Sequence, residues 1–334
     1  MEIKLKHSNH FKAFKKGLDE VKAEAYLNMQ TFYLEVHFGT FSQTFYPQYI
    51  VYVDGDKRYS PIYDENAKTF IGWRPYFNKS VQSFVKKLDV KELLSSNNIL
   101  VPEFSQDNDH DFGDFIIKGD ISSFGDTIKG PFKEASDYSI NAEKGEYAEK
   151  LINGDAIKIW AWNNTPVCLE YLKWPRIMGD GEKTVRELVK IHIKLLDKEP
   201  EKKPKVDQAL KMLEFYDRNL DTVLEKGEEH ILDFIYGSDF TDKDAITDVY
   251  LGKADSPEWS QQIQPIVDVL WAKACEEGVG DLAYSIDAIL DKEQKLWILE
   301  ANSNPFMHPA MYEHMIKTSD SKQHLVSIVE SEMA

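Results

Sequence analysis

The stretch Ala283–Ala301 reads as two apolar strands joined by the polar turn Asp291-Lys292-Glu293-Gln294. Its polar interruptions are few, and they fall in a pattern. Asp287 interrupts the first strand, and Glu300 and Asn302 close the second. Side chains two apart on a strand share a face, so Glu300 and Asn302 point the same way. Antiparallel pairing can bring Asp287 opposite them. Three hard oxygen donors at one spot suit Mg²⁺, which takes a few carboxylate oxygens together with water and phosphate. The same spacing also fits a plain acidic hairpin edge.

The rest of the chain mixes helices and strands. The first eighty residues are rich in aromatics, with strands expected at Thr31–Phe38 and Gln48–Val53, the latter running into the turn Asp54-Gly55-Asp56. Lys4–Leu27 reads as mostly helical. Val81, Phe84, Val85, Leu88, Leu93 and Leu94 recur near helical spacing, which predicts a helix over Val81–Ser96 that stops at Asn97-Asn98. Phe115–Lys118 reads as a buried strand. Ala156–Trp162 and Pro166–Tyr171 flank Asn163-Asn164, a hairpin signal. Thr184 with Glu187 three residues on is a capping box opening a helix to about Leu196. Lys198–Lys205, charged and with two prolines, reads as a solvated loop. Helices are expected at Val206–Glu214 and at Ser256–Glu277, with Ser256 as N-cap and Pro257 at the first helical position. A last helix is expected over the final twenty-odd residues.

Composition narrows the class. A length of 334 residues suggests two to three compact units, and 42% hydrophobic residues suffice for a core. A formal charge of −17 argues against tight binding to duplex nucleic acid or an anionic membrane. It leaves room for a nucleotide held by a local lysine cluster. No apolar run has transmembrane length, and the start of the chain lacks the apolar core of a signal peptide. Cys168 and Cys275 are expected to be core thiols in a reducing, cytoplasmic setting.

Lysine placement is the second chemical signal. Lys118 ends a strand and opens the polar loop Gly119–Thr127. Backbone N–H groups and hydroxyls of such a loop can wrap phosphates while the lysine offsets their charge. A surface lysine in a turn fits the same pattern. Glu149–Asp155 precedes a strand; its backbone groups could meet a purine edge and its carboxylate a ribose.

The order of these features resembles the ATP-grasp superfamily, from about Val85 to Pro309. The run Pro175–Leu188, with Gly179-Asp180-Gly181-Glu182-Lys183-Thr184, is similar to the ATP-grasp modules of cyanophycin synthetase and bifunctional glutathione synthetase. So is Asp221–Glu228. The end, Glu300-Ala301-Asn302-Ser303-Asn304-Pro305, resembles the metal motif of D-alanine–D-alanine ligases. The resemblance implies an α+β ATP-grasp fold, two α+β subdomains gripping the nucleotide, preceded by a smaller β-rich N-terminal domain. Residues 1–80 would form that first domain. Residues 81–175 would form the first and nucleotide-hinge subdomain, and residues 176–334 the metal and substrate subdomain.

It also implies roles. Lys87 and Lys118 would be the two nucleotide lysines. Ser122, Ser123 and Gly125 would lie in the loop closing over the β- and γ-phosphates. Glu149, Lys150 and Ile152 would line the adenine hinge, and Asp155 would meet the ribose. Asp287, Glu300 and Asn302 would hold two Mg²⁺ ions beside ATP, and Asn304 and His308 would approach the acceptor. The family's arginine in the strand after the hinge is replaced here by Lys158. No arginine follows Arg218, so Arg176 or Arg74 would have to serve from elsewhere. The implied activity is ADP-forming ligation of a carboxylate to an amine through an acyl phosphate, on small-molecule or peptide substrates. A homodimer is left open. Two other readings stand beside it: a peptide- or macromolecule-modifying ligase whose first eighty residues recognise the partner, and a non-catalytic nucleotide-binding regulator.

Overall fold

The computed structural model describes residues 8–53, 56–64, 67–121, 128–242, 245–251 and 257–333. The chain begins with α1 (Ser8–Val21), then β1 (Glu24–Leu27), β2 (Leu34–Phe38), β3 (Phe41–Val53), β4 (Asp56–Ser60) and β5 (Ala67–Arg74). These five strands form one antiparallel sheet in the order β1-β2-β3-β4, with β5 also paired to the long β3. The helix expected over Lys4–Leu27 is shorter than that: Lys22 turns to φ 56°, and Glu24–Leu27 pairs with β2 instead. The turn residues Asp54 and Gly55 lie outside the described residues.

Next come α2 (Lys87–Ser96), β6 (Phe104–Ser105), β7 (Phe115–Gly119), β8 (Lys129–Phe132) and β9 (Glu146–Lys150). The strands form a four-stranded antiparallel sheet, order β6-β9-β7-β8. The helix expected from Val81 starts only at Lys87, because Lys86 is extended (φ −104°, ψ 130°). Two separate carboxylates break it into two starts. Glu277 accepts from the amides of Gln82 and Ser83 at 2.6 and 3.1 Å over a short 3₁₀ turn. Asp120 accepts the Leu88 amide at 3.0 Å and puts its charge at the α2 N-terminus. The helix stops at Asn97-Asn98 as expected, Asn98 having φ 59°.

The remaining elements are β10 (Gly154–Trp162), β11 (Thr165–Leu172), β12 (Arg176–Met178), α3 (Val185–Leu195), α4 (Leu210–Phe215), β13 (Glu229–Ile231), β14 (Ile246–Tyr250), α5 (Pro257–Glu276), β15 (Ala283–Asp291), β16 (Leu296–Asn302) and α6 (Met311–Met333). The Thr184–Glu187 capping box is present at the start of α3. Within Lys198–Lys205, Pro200–Lys202 forms a 3₁₀ turn. Ser256 lies outside the described residues, while Pro257 opens α5. The central sheet is antiparallel, order β14-β11-β10-β15-β16.

Alternation along the central strands gives this sheet two unlike faces. Ile157, Ile159, Leu169, Ile286 and Ile298 pack on one face with α5, α2 and the 3₁₀ residue Phe84. On the other, Trp160, Trp162 and Cys168 share an aromatic-rich core with Phe45, Trp73 and Phe14 of the first sheet and helix, and with Met311 and Tyr312 of α6. The first eighty residues therefore share a core with the rest of the chain. The same face carries a second apolar cluster of Ala156, Leu172, Trp174 and Ile289. Cys168 is buried as expected; Cys275, expected in the core, is exposed near the end of α5. Both are free thiols. Among the described residues no helix is long and apolar enough to cross a membrane.

Candidate active site

Between those two apolar clusters, one transverse row of the central sheet is entirely charged. Register pairs Asp248 with Glu170, Glu170 with Lys158, Lys158 with Asp287, and Asp287 with Glu300, one residue from each of the five strands. Directly paired residues share a face, so all five side chains emerge on the same side. A β-bulge sets the last pairing: Asp287 faces Glu300 while the next residue, Ala288, faces Ile298, leaving Leu299 as the extra residue. Without it Glu300 and Asn302 would turn away from Asp287.

The contacts in this row are specific. Lys158 Nζ donates to Asp287 Oδ1 at 2.6 Å. Asn302 Nδ2 donates to Glu300 Oε1 at 3.1 Å and to Asp287 Oδ2 at 3.4 Å. Lys87 Nζ, from the first turn of α2, lies 3.4 Å from Glu300 Oε2. Burial pushes the Asp287 carboxyl above its ordinary range, against the pull of Lys158. Burial acts the same way on Glu300, but Lys87, Lys118 and Asn302 outweigh it and hold that carboxyl below its ordinary range. Two carboxylates set opposite each other, one reluctant to ionise, fit a hard divalent cation. Asn302 presents its amide nitrogen to both carboxylates here, and the flipped amide would present its oxygen instead.

A second charged cluster faces this one from the four-stranded sheet. Lys118 Nζ, at the end of β7, donates to Glu149 Oε1 at 2.7 Å. Lys91 Nζ, from the buried side of α2, lies 2.7 Å from Glu149 Oε2. Both lysines and the glutamate are buried, and Tyr147 Oη donates to Glu149 at 3.4 Å. Burial would raise the Glu149 carboxyl, but Lys118 and Lys91 hold it below its ordinary range.

Other sequence-predicted residues sit elsewhere. Lys150 turns outward to Glu103 at 2.5 Å, and Ile152 packs at the edge of the Ala156–Trp174 cluster. Asp155 is fully engaged: it accepts from Tyr171 Oη at 2.5 Å, from Arg176 Nη2 at 2.6 Å and from the Trp174 amide at 3.3 Å. Arg176 also meets Glu229 at 3.2 Å, so it is tied down there and is not among the Lys158–Asp287–Glu300 contacts. Ser122, Ser123 and Gly125 lie outside the described residues. Asn304 is a strut: its Oδ1 accepts from Arg74 Nη1 at 2.6 Å, and its Nδ2 donates to the Lys79 carbonyl at 2.9 Å. Arg74, fully buried at the end of β5, also donates to the Pro305 carbonyl at 2.7 Å. This joins the first sheet to the exit of β16.

His308 lies at the far end of the charged row. Its ligand atom, with those of Glu170 and Asp248, falls in a group lying within 4.8 Å of one another. Its Nδ1 accepts the Ala310 amide at 3.2 Å, so Nε2 carries the proton of the neutral ring and turns to Asp248 Oδ2 at 3.5 Å. A metal-ligating histidine donates its other ring N–H, and this ring cannot. Tyr236 Oη donates to Glu170. Sequence reasoning did not assign a role to Lys91, Glu170, Asp248 or Tyr236. Only the cross-strand register and the docking of α2 reveal them.

No family model matches the chain, and no curated protein matches it. Solved structures do resemble it in part. A bifunctional glutathione synthetase from Pasteurella multocida aligns over 94% of this chain and 43% of its own, at 12% identity and TM-score 0.44. A D-alanine–D-alanine ligase from Bacillus anthracis aligns over 73% of this chain and 69% of its own, at 10% identity and TM-score 0.39. The ATP-grasp ligase PsnB, complexed with a minimal precursor, aligns over 72% and 62%, at 12% identity and TM-score 0.36. The chain thus spans less than half the length of that glutathione synthetase.

Proposed function

We propose that this chain is an ATP-grasp ligase that uses ATP to join a carboxylate to an amine, forming ADP. The observation that carries this reading is the meeting of two unlike charge clusters. Asp287, Glu300 and Asn302 form an oxygen-rich corner, and Lys87, on the helix that also carries Lys91, reaches both Glu300 and, at 3.3 Å, the carbonyl of Gly119 next to Lys118. An oxygen corner takes hard cations; lysines take phosphates. A nucleoside triphosphate with its metal ions needs both, side by side.

In this reading Asp287, Glu300 and Asn302 hold Mg²⁺, two ions in the full complex, and residues 81–334 grip the nucleotide. The metal, when bound, offsets charge on the transferring phosphoryl group. Lys118 and Lys87 hold the polyphosphate, and Lys158 stands beside Asp287 where the γ-phosphate would lie. A substrate carboxylate oxygen attacks the γ-phosphorus, the bond to the bridging oxygen breaks, and ADP leaves. The amine nitrogen then attacks the acyl carbon of the resulting acyl phosphate. Phosphate departs, and the amine proton goes to phosphate or solvent. No protein nucleophile is needed, and the work of the side chains is positioning and charge. Two free thiols accord with a reducing compartment.

The test is ADP and phosphate release with MgATP across paired amino acids and small peptides, with Glu300→Ala as control. A pair giving ADP and a condensation product of the summed mass, both lost in Glu300→Ala, supports the reading. Turnover that survives Glu300→Ala refutes it.

A further inference from the structure

Lys91 has no place in the chemistry above, yet it is one of the most completely buried side chains in the protein. It lies on the buried side of α2 with Val90 and Leu94, where an aliphatic residue would cost far less. Its ion pair is with Glu149 at 2.7 Å, and the Phe104 ring lies 5.8 Å away. Glu149 in turn pairs with Lys118 through its other oxygen, also at 2.7 Å. Two lysines share one carboxylate, so the buried trio carries a formal charge of +1.

That sum matters for Lys118, the outermost of the three. A lone Lys118–Glu149 pair would be neutral, and a phosphate arriving at Lys118 would meet the repulsion of Glu149 as well. With Lys91 on the far oxygen, the carboxylate is already answered and Lys118 keeps a net positive charge for an incoming anion. Burial strengthens the effect, because little water screens it.

We propose that Lys91 is a positioning residue of the nucleotide site, one that touches no ligand but answers the charge of Glu149 so that Lys118 is free to bind a nucleotide phosphate. This rests on the ligase reading above. It makes an unusual demand, since stability and affinity should part company. Removing one partner of a buried ion pair is costly because it leaves an uncompensated charge, and that cost is avoided when the remaining ions still form a pair. Lys91→Met leaves Lys118 and Glu149 to do so.

The experiment is MgADP titration by calorimetry on the full chain, with thermal unfolding of each protein without nucleotide. Lys91→Met should weaken MgADP binding at least tenfold while leaving Tm unchanged or higher. The double variant Lys91→Met/Glu149→Gln, in which Lys118 again has no carboxylate to neutralise it, should return the affinity to within about threefold of wild type. Wild-type affinity in Lys91→Met overturns the proposal. So does a parallel loss of Tm and affinity that the double variant does not restore, since that is the signature of a merely structural lysine. A wild-type protein that does not bind MgADP overturns the ligase reading itself, a result distinct from either.

Discussion

The two charged clusters are built to opposite ratios. The row across the central sheet sets four carboxylates, Asp248, Glu170, Asp287 and Glu300, against one lysine, Lys158. The cluster on the four-stranded sheet sets two lysines, Lys91 and Lys118, against one carboxylate, Glu149. Each is unbalanced alone, and each imbalance costs folding energy that a neutral core would not. The difference teaches which ligand each is built toward: the acid-rich row attracts cations and the lysine-rich trio attracts anions. Lys87 reaches from α2 to Glu300 and to the Gly119 carbonyl beside Lys118, so it stands between the two.

The sharpest way to break this division is to remove a carboxylate from the cation side. Asp287→Asn keeps the shape but leaves Glu300 without the facing carboxylate that would share a metal with it. Ligase turnover, followed as ADP release, should fall about 10³-fold. MgADP affinity should fall far less than turnover. A variant that loses both equally would mean that the two clusters do not act on separate parts of the ligand.

How much of this was legible beforehand depends on the distance over which a residue finds its partner. The β15–β16 hairpin could be read from alternation and a local turn, and the Thr184–Glu187 box from spacing alone. Both are settled within twenty residues of chain. The registers joining Asp248 to Glu170 and Lys158 to Asp287 are not, because β14 reaches β11 across a gap of more than seventy residues, β15 reaches β10 across a longer one, and nothing local fixes either. The start of α2 is hidden for the same reason: the two carboxylates that split the expected helix, Glu277 on the 3₁₀ turn and Asp120 at the first turn of α2, both come from farther along the chain. Arg176 and Asp155 show the converse. Each read as a residue for substrate or nucleotide, and in the fold they engage each other.

Acid offers the next effect, and it separates the site from the frame that carries it. His230 on β13 is buried, and burial together with the nearby Arg218 lowers it to about 4. The unfolded chain binds a proton there near pH 6.5, and the folded chain does not until about pH 4. Stability is therefore present above pH 6.5 and lost as the pH falls through that window, by up to about 3 kcal/mol. Urea midpoints at pH 7, 5.5 and 4.5 should fall in that order, and His230→Gln should flatten the slope. If the slope persists in that variant, the acid sensitivity belongs to another group, with the charged clusters as the next suspects.

On the anion side, Lys118→Met leaves Lys91 and Glu149 as a neutral buried pair, so the fold should tolerate it. A lost charge-assisted contact to phosphate is worth roughly 10- to 100-fold in affinity. MgADP titration should show that loss. Mn²⁺ binding measured without nucleotide should stay near wild type, since the oxygen corner is untouched. A fall in metal binding alone would put Lys118 on the wrong side of the division.

The smallest effect is the control that gives the others meaning. Thr184 caps α3, accepting the Glu187 amide through its hydroxyl at 3.4 Å, while the Glu187 carboxylate accepts the Thr184 amide at 2.9 Å. Among the described residues, neither of these two is hydrogen-bonded to either charged cluster. Thr184→Ala should lower stability by about 1 kcal/mol, seen as a shift of the urea midpoint without a change in slope. Affinity for MgADP and the rate of ADP release should not move. That null result is informative because Thr184 opens the helix of the lobe formed by β12, α3, α4 and β13, and Arg176 in β12 reaches Asp155 at the root of β10. Were a lost cap to weaken nucleotide binding, the path would run through that ion pair to the strand bearing Lys158. The division between clusters would then depend on the lobe beneath them as much as on their own charges.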